Sequence, residues 1–174
     1  SILCLSATEP IIANKFCRGN KCLDSELFQQ KPVRFIKLVN TKNTYLIFCG
    51  IKAFDKHGTD HARGKPTSES SNIRGYSASN AVRVDKEPSN NKSGGTCSHS
   101  KKGIGEYWMV DLQTPVVLKK IKIWDRSGSY RLDSVDILLY AEGENNSVGE
   151  LLYKFNWGPI NSSTKEFIIP NSLT

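Results

Sequence analysis

No apolar run in the chain approaches the ~18 residues of a membrane-spanning helix, and the start does not have the make-up of a signal peptide. It opens on Ser1 without Met or a basic n-region, as expected of a mature or trimmed chain. Helix signals are scarce: Gly, Ser, Asn and Pro interrupt every candidate periodic stretch. Dense basic arms are missing too. The 24 Lys and Arg are scattered, with short clusters only at Lys101-Lys102 and Lys119-Lys120-Ile121-Lys122. The net charge of +7 and pI near 9.2 are therefore diffuse, which argues against nucleic acid as the main ligand and leaves an anionic surface as a secondary partner. The cysteines show no C-x2-C spacing and no His pair beside them, which excludes the common zinc sites. There is no G-x-S-x-G elbow, no H-E-x-x-H and no P-loop, and Gly103-Ile104-Gly105 lacks the third glycine of a dinucleotide turn. His57 and His61 stand four apart in a Gly-rich loop and read as surface residues. Nothing assembles a nucleophile, a base and an orienter, so the chain is not expected to be an enzyme.

What is present is a folded composition. The 174 residues are 38% hydrophobic and 24% charged, enough for one domain with a core. Five cysteines (Cys4, Cys17, Cys22, Cys49, Cys97) and sequons at Asn91, Asn145 and Asn161 favour an oxidising, secreted or cell-surface setting. The odd count leaves one thiol unpaired, or bonded to a partner in an oligomer. Strand patterns run over Val33–Val39, Tyr45–Phe54, Glu106–Leu112, Val116–Trp124, Ser134–Tyr140, Leu151–Phe155 and Phe167–Ile169. Short strands with turn-rich links predict an all-β sandwich or barrel. Residues 57–80 and 85–105 read as long loops, which serve either as binding loops or as spacers.

One series of motifs is familiar. Ala62-Arg63-Gly64-Lys65-Pro66-Thr67-Ser68-Glu69-Ser70-Ser71 resembles "A-x-G-K-P-A-x-Q-S-S", and Asn80-Ala81-Val82 resembles "N-A-V-D-G". Thr96-Cys97-Ser98-His99-Ser100 is similar to "S-C-S-H-T", and Tyr107-Trp108-Met109-Val110-Asp111-Leu112 to "W-W-x-V-D-L". Trp124-Asp125-Arg126 through Arg131-Leu132 resembles "N-R-x-D-C-C-x-x-R-L", followed by the strand Val135-Asp136-Ile137. In this order, over residues 62–137, the motifs resemble the F-type lectin (fucolectin) domains of the discoidin-like superfamily. The resemblance implies a jelly-roll β-sandwich of antiparallel sheets.

Residues 1–55 resemble that family's end. Val33–Leu38 looks like "G-R-Y-V-x-I", and Leu46–Phe54 like the closing "L-T-L-C-E-V-E-V-Y". Two organisations fit. In one, residues 1–174 are a single circularly permuted sandwich, with 1–55 supplying the closing strands and 56–174 the opening and middle. In the other, 1–55 end one tandem repeat and 56–174 begin the next, which leaves sheet edges exposed. The permuted organisation implies a Cys49–Cys97 bond, worth roughly 4 kcal/mol at the upper end. Cys4, Cys17 and Cys22 then share one further bond. Cys4–Cys22 is the favoured pairing over the small ring Cys17–Cys22, since the family's other bridge spans a longer loop.

The resemblance carries three sugar-binding positions to His99, Arg126 and Arg131. Arg offers five donors in a fixed fork, and His one donor and one acceptor, which suits paired sugar hydroxyls. Asp125, Asp133 and Tyr130 are candidates to orient the arginines, whereas Trp124 is expected in the core. The chain departs from the family in two places. The adjacent Cys-Cys pair is absent, with Tyr130 the candidate apolar platform in its stead, and the turn Ser127-Gly128-Ser129-Tyr130 is two residues shorter. The positions matching the family's calcium site read Asn80, Arg83, Asp85, Thr96, Cys49 and Gly50. Arg83 and Gly50 stand where acids are expected, so Arg83 is expected to replace the ion, and no cofactor is anticipated. The implied function is a secreted recognition module for glycoconjugates bearing terminal L-fucose or a similar sugar. The rival expectations are a discoidin-type module docking a protein or anionic membrane, and a structural subunit in cell-surface or gamete adhesion.

Overall fold

The computed structural model describes residues 16–18, 21–23, 30–90, 95–127, 132–159 and 163–171, with the backbone alone for the first two stretches. Eleven strands appear among the described residues, in chain order: β1 (Phe16–Arg18), β2 (Lys21–Leu23), β3 (Val33–Asn40), β4 (Thr44–Phe54), β5 (Thr67–Glu69), β6 (Ser98–Gly103), β7 (Tyr107–Val116), β8 (Lys120–Asp125), β9 (Val135–Glu142), β10 (Val148–Asn156) and β11 (Thr164–Ile168). No α-helix occurs among the described residues, only short 3-10 turns such as Ala78–Val82.

Period-two alternation explains how the strands assemble. In β8, Ile121, Ile123 and Asp125 are buried while Lys120, Lys122 and Trp124 are half-exposed. In β9, Val135, Ile137 and Leu139 are buried in the same alternating way. Such strands have one apolar face to cover, and two sheets stacked face to face do so. One sheet has the order β10-β9-β3-β7-β5 and the other β11-β8-β4-β6; every pairing is antiparallel. Ile36, Leu38, Trp108, Val110, Ile137 and Leu139 from the first sheet meet Leu46, Phe48, Ile51, Ala53, Ile121 and Ile123 from the second in one core. The chain is therefore an all-β sandwich.

Residues 33–54 supply an inner strand of each sheet. β3 is hydrogen-bonded between β7 and β9, and β4 between β6 and β8. The partner strands of both come from residues 98–142, far along the chain.

Cys49 and Cys97 form a disulfide, as the resemblance implied. The hairpin β1–β2 sets the backbone of Cys17 opposite that of Cys22. Cys4, and with it the expected Cys4–Cys22 pairing, lies outside the described residues.

Four expectations from the sequence change. Ser98–Gly103 is a strand inside a stretch that reads as loop, and Thr67–Glu69 is a short edge strand inside the other. Val117–Lys119 links β7 to β8 rather than forming part of a strand from Val116. Trp124 is not in the core: it shares the outer face of β8 with Lys122, whose ammonium lies 5.2 Å from the indole centroid.

The outer face of the five-stranded sheet carries a buried charge. Arg34 forks onto Asp111 with bonds of 2.9 and 3.1 Å, and also donates to Glu142 and, at 2.7 Å, to Asn146. The Arg34 hydrogen bonds are the main cause that holds the Asp111 carboxyl below its ordinary range, against the opposing effect of burial. Its folded pKa then lies under the unfolded value of about 3.9. The stabilisation is present above that value and lost as pH falls through the folded one. A carboxyl-carbon NMR titration is expected to show Asp111 ionising below the ordinary aspartate value, and Arg34→Met is expected to return it toward that value.

Candidate functional site

Two of the expected sugar-binding positions are described, and they share a neighbour. β6 carries His99, which is 8% exposed. Its Nδ1 lies 2.8 Å from the Ser100 carbonyl, so in the neutral ring the proton sits on Nδ1 and Nε2 has acceptor character. The ring stands edge-on between two tyrosines, with centroids 5.3 Å from Tyr45 and 5.6 Å from Tyr76. Arg126 follows β8, and its guanidinium carbon lies 5.8 Å from the Tyr76 ring centroid. Arg131 and Tyr130 lie outside the described residues.

The backbone explains why these groups meet. The Ile73–Tyr76 turn is laced to β6: Ile73 N–H donates to the His99 carbonyl at 2.9 Å, and His99 N–H to the Tyr76 carbonyl at 3.1 Å. Tyr45 arrives from β4, one strand away from β6. The turn holding Arg126 is fixed by Asn90, whose amide donates to the Asp125 carbonyl at 2.7 Å and to the Ser163 carbonyl, and whose own carbonyl accepts from Ser127 N–H at 2.9 Å. Asp125 is buried and accepts the Arg126 backbone N–H at 2.7 Å, so it shapes this turn. Asp133 is exposed on a separate 3-10 turn.

Sequence reasoning misses Tyr45, Tyr76 and Asn90. The sequence marks Tyr45 only as a strand residue and Tyr76 only as a loop residue; sheet register and a tight turn give them their places. The one signal in the sequence is the proximity of Tyr76 to the lectin-like motif.

The positions matching the family's calcium site are also brought together. Cys49, Asn80, Arg83 and Thr96 line one cavity of about 10 Å³, room for roughly one water. Thr96 is 2% exposed and its hydroxyl has no partner among the described residues. Four cations (Lys52, Arg63, Arg83 and Lys86) line this space against one acid, Asp60. Arg83 donates to the Gly95 carbonyl at 3.1 Å and grips Asp85 through both Nε, at 2.8 Å, and Nη2. That grip lowers the Asp85 pKa. Gly50 lies against Pro88, and a Cβ there would come within 2.4 Å of the Pro88 Cβ, so no acid can stand at this position without movement. These residues do not fit calcium, which wants about 6–8 oxygens and net anionic charge. A larger groove of about 390 Å³, lined by Lys65, Ser79, Val84 and Asp85 among others, opens beside Arg83. Neither cavity reaches His99.

His61 bonds Asp55 at 3.0 Å, which pulls the Asp55 carboxyl down to about 2, with help from the His57 and Thr59 backbone N–H groups. This pair closes a surface turn. His57 is exposed. No family model matches the chain, and neither a curated protein nor a solved structure matches it.

Proposed function

We propose that the chain is a secreted, non-enzymatic glycan-recognition module of the F-type lectin kind, binding terminal L-fucose or a similar sugar. The single observation that carries this reading is the cluster of Tyr45, Tyr76, His99 and Arg126. A sugar offers hydroxyls along its edge and a less polar ring face. The tyrosine rings suit the face, and the guanidinium and imidazole suit the hydroxyls. Tyr76 takes the role of apolar platform that the missing Cys-Cys pair plays in the family. The inner placement of β3 and β4 supports a permuted jelly roll in one domain. The Cys49–Cys97 bond supports both the permuted order and an oxidising compartment.

The module works without calcium on this reading, since Arg83 donates to the loop carbonyl of Gly95. A glycan array is the test. Binding to fucosylated glycans is expected to persist in chelator. His99→Ala and Tyr76→Ala are expected to weaken it by about 10- to 100-fold, the scale of a central anchor. Unchanged binding by a folded His99→Ala protein refutes the site assignment.

A further inference from the structure

We infer that the site takes an anionic glycan, one with a sulfate ester or carboxylate beside the sugar that meets the tyrosines. This rests on the glycan reading above and goes beyond a neutral deoxyhexose. The observation is a register shift. Tyr45 pairs with Lys102 and Ile47 with His99, so β4 advances two residues while β6 advances three. In a regular strand, residues 99 and 102 point to opposite faces. The extra residue in β6 puts Lys102 on the face of His99, directly across from Tyr45. Directly opposed side chains have Cβ atoms about 4.5–5.5 Å apart, so Lys102 stands next to the ring that touches His99.

The bulge is built rather than slack. The Ser100 hydroxyl accepts Leu46 N–H at 2.9 Å and donates to the Lys101 carbonyl at 2.6 Å. Lys101 N–H is held by the Ser71 hydroxyl at 3.0 Å. On the other side of His99, Arg74 lies inside the Ile73–Tyr76 turn. Arg74, Lys101 and Lys102 are exposed, and none of them makes an ion pair among the described residues. Lys52, Arg63, Arg83, Lys120, Lys122 and Lys154 each have a carboxylate partner. The nearby carboxylate of Glu106 accepts from the Ser70 and Ser71 hydroxyls instead. Three exposed cations without a carboxylate partner among the described residues thus flank the aromatic cluster, where they complement a fixed anion on a ligand.

The test presents the full chain with matched glycans in neutral, sulfated and sialylated forms at low and physiological salt. An anionic form is expected to bind about tenfold tighter than its neutral parent, with the advantage shrinking as salt rises. The sulfated and sialylated arms identify which anion is preferred. Lys102→Ala is expected to cut the anionic-to-neutral ratio about fivefold. Lys56→Ala, an exposed cation beyond the far end of β4, is expected to leave the ratio unchanged. Equal binding of neutral and anionic forms, or a ratio unmoved by Lys102→Ala, overturns the inference and leaves the glycan reading standing. Binding to no glycan overturns both.

Discussion

Replacing Cys49 and Cys97 together by alanine is expected to cost up to about 4 kcal/mol of stability. The bond closes a loop of sequence separation 48, so its removal frees a long stretch of the unfolded chain. Both cysteines are buried, at 0% and 1% exposure, and the neighbours Thr96 and Ser98 are buried with them. The bond ties β4, an inner strand, to the segment that enters the edge strand β6. β6 pairs with a strand on one side only and meets the Ile73–Tyr76 turn on the other, so this covalent tie helps hold β6 and its His99 in register. Urea unfolding is the measurement: the midpoint is expected to fall, and the slope to rise as the unfolded chain expands. Glycan binding is expected to fall with it, because the Cys97 carbonyl also accepts the Asn80 amide at 3.1 Å. A double variant that unfolds at the parent's midpoint shows that noncovalent pairing alone holds β6.

How much of the fold and the site is legible in the sequence depends on what each residue's neighbours contribute. β8 and β9 are readable because their burial alternates against a facing sheet, with Ile121 and Ile123 advertising the pattern in single letters, and β3 and β4 because they are near-continuous buried apolar runs. β6 is not. Its sequence Ser98-His99-Ser100-Lys101-Lys102-Gly103 is polar, and the bulge breaks the period of two. Ser98, His99 and Ser100 are buried all the same, which no apolar pattern announces. Trp124 misleads in the opposite sense. A large aromatic in a strand reads as core, but parity places it with Lys120 and Lys122 on the outer face. In the candidate site, His99 and Arg126 can be marked from motif resemblance. Tyr45 and Tyr76 cannot, since a cross-strand register and a four-residue turn bring them in. The calcium-like positions are legible in both directions: Arg83 and Gly50 are visibly wrong for an ion, and the structure gives Arg83 the carbonyl of Gly95 and Gly50 the ring of Pro88.

Trp108→Ala is expected to lower stability by about 3–5 kcal/mol, the range for truncating a buried large aromatic. Trp108 is 1% exposed and points inward from β7, where its ring meets Phe48 of β4 edge-on at 5.0 Å. The contact therefore joins the two sheets at the centre of the core. Truncation leaves a cavity that neither strand can close without breaking its own ladder, which places the cost at the upper part of the range. The indole also makes a polar contact, its Nε1–H donating to the Ala78 carbonyl at 2.9 Å. Ala78 opens the 3-10 turn Ala78–Val82, two residues after Tyr76 and shortly before Arg83. One side chain thus anchors the loop carrying Tyr76 to the core. Trp108→Phe separates the packing from the hydrogen bond. It keeps most of the ring volume but leaves the Ala78 carbonyl without its donor, at a cost of about 1–3 kcal/mol for the orphaned group and the smaller ring. The Phe variant is expected to stay folded and to lose glycan affinity through a loosened Ile73–Val82 segment, whereas the Ala variant loses both. Thermal or urea unfolding of the pair, read beside glycan binding, distinguishes these effects. Full affinity in a folded Phe variant would show that the Tyr76 turn is held by its bonds to β6 alone.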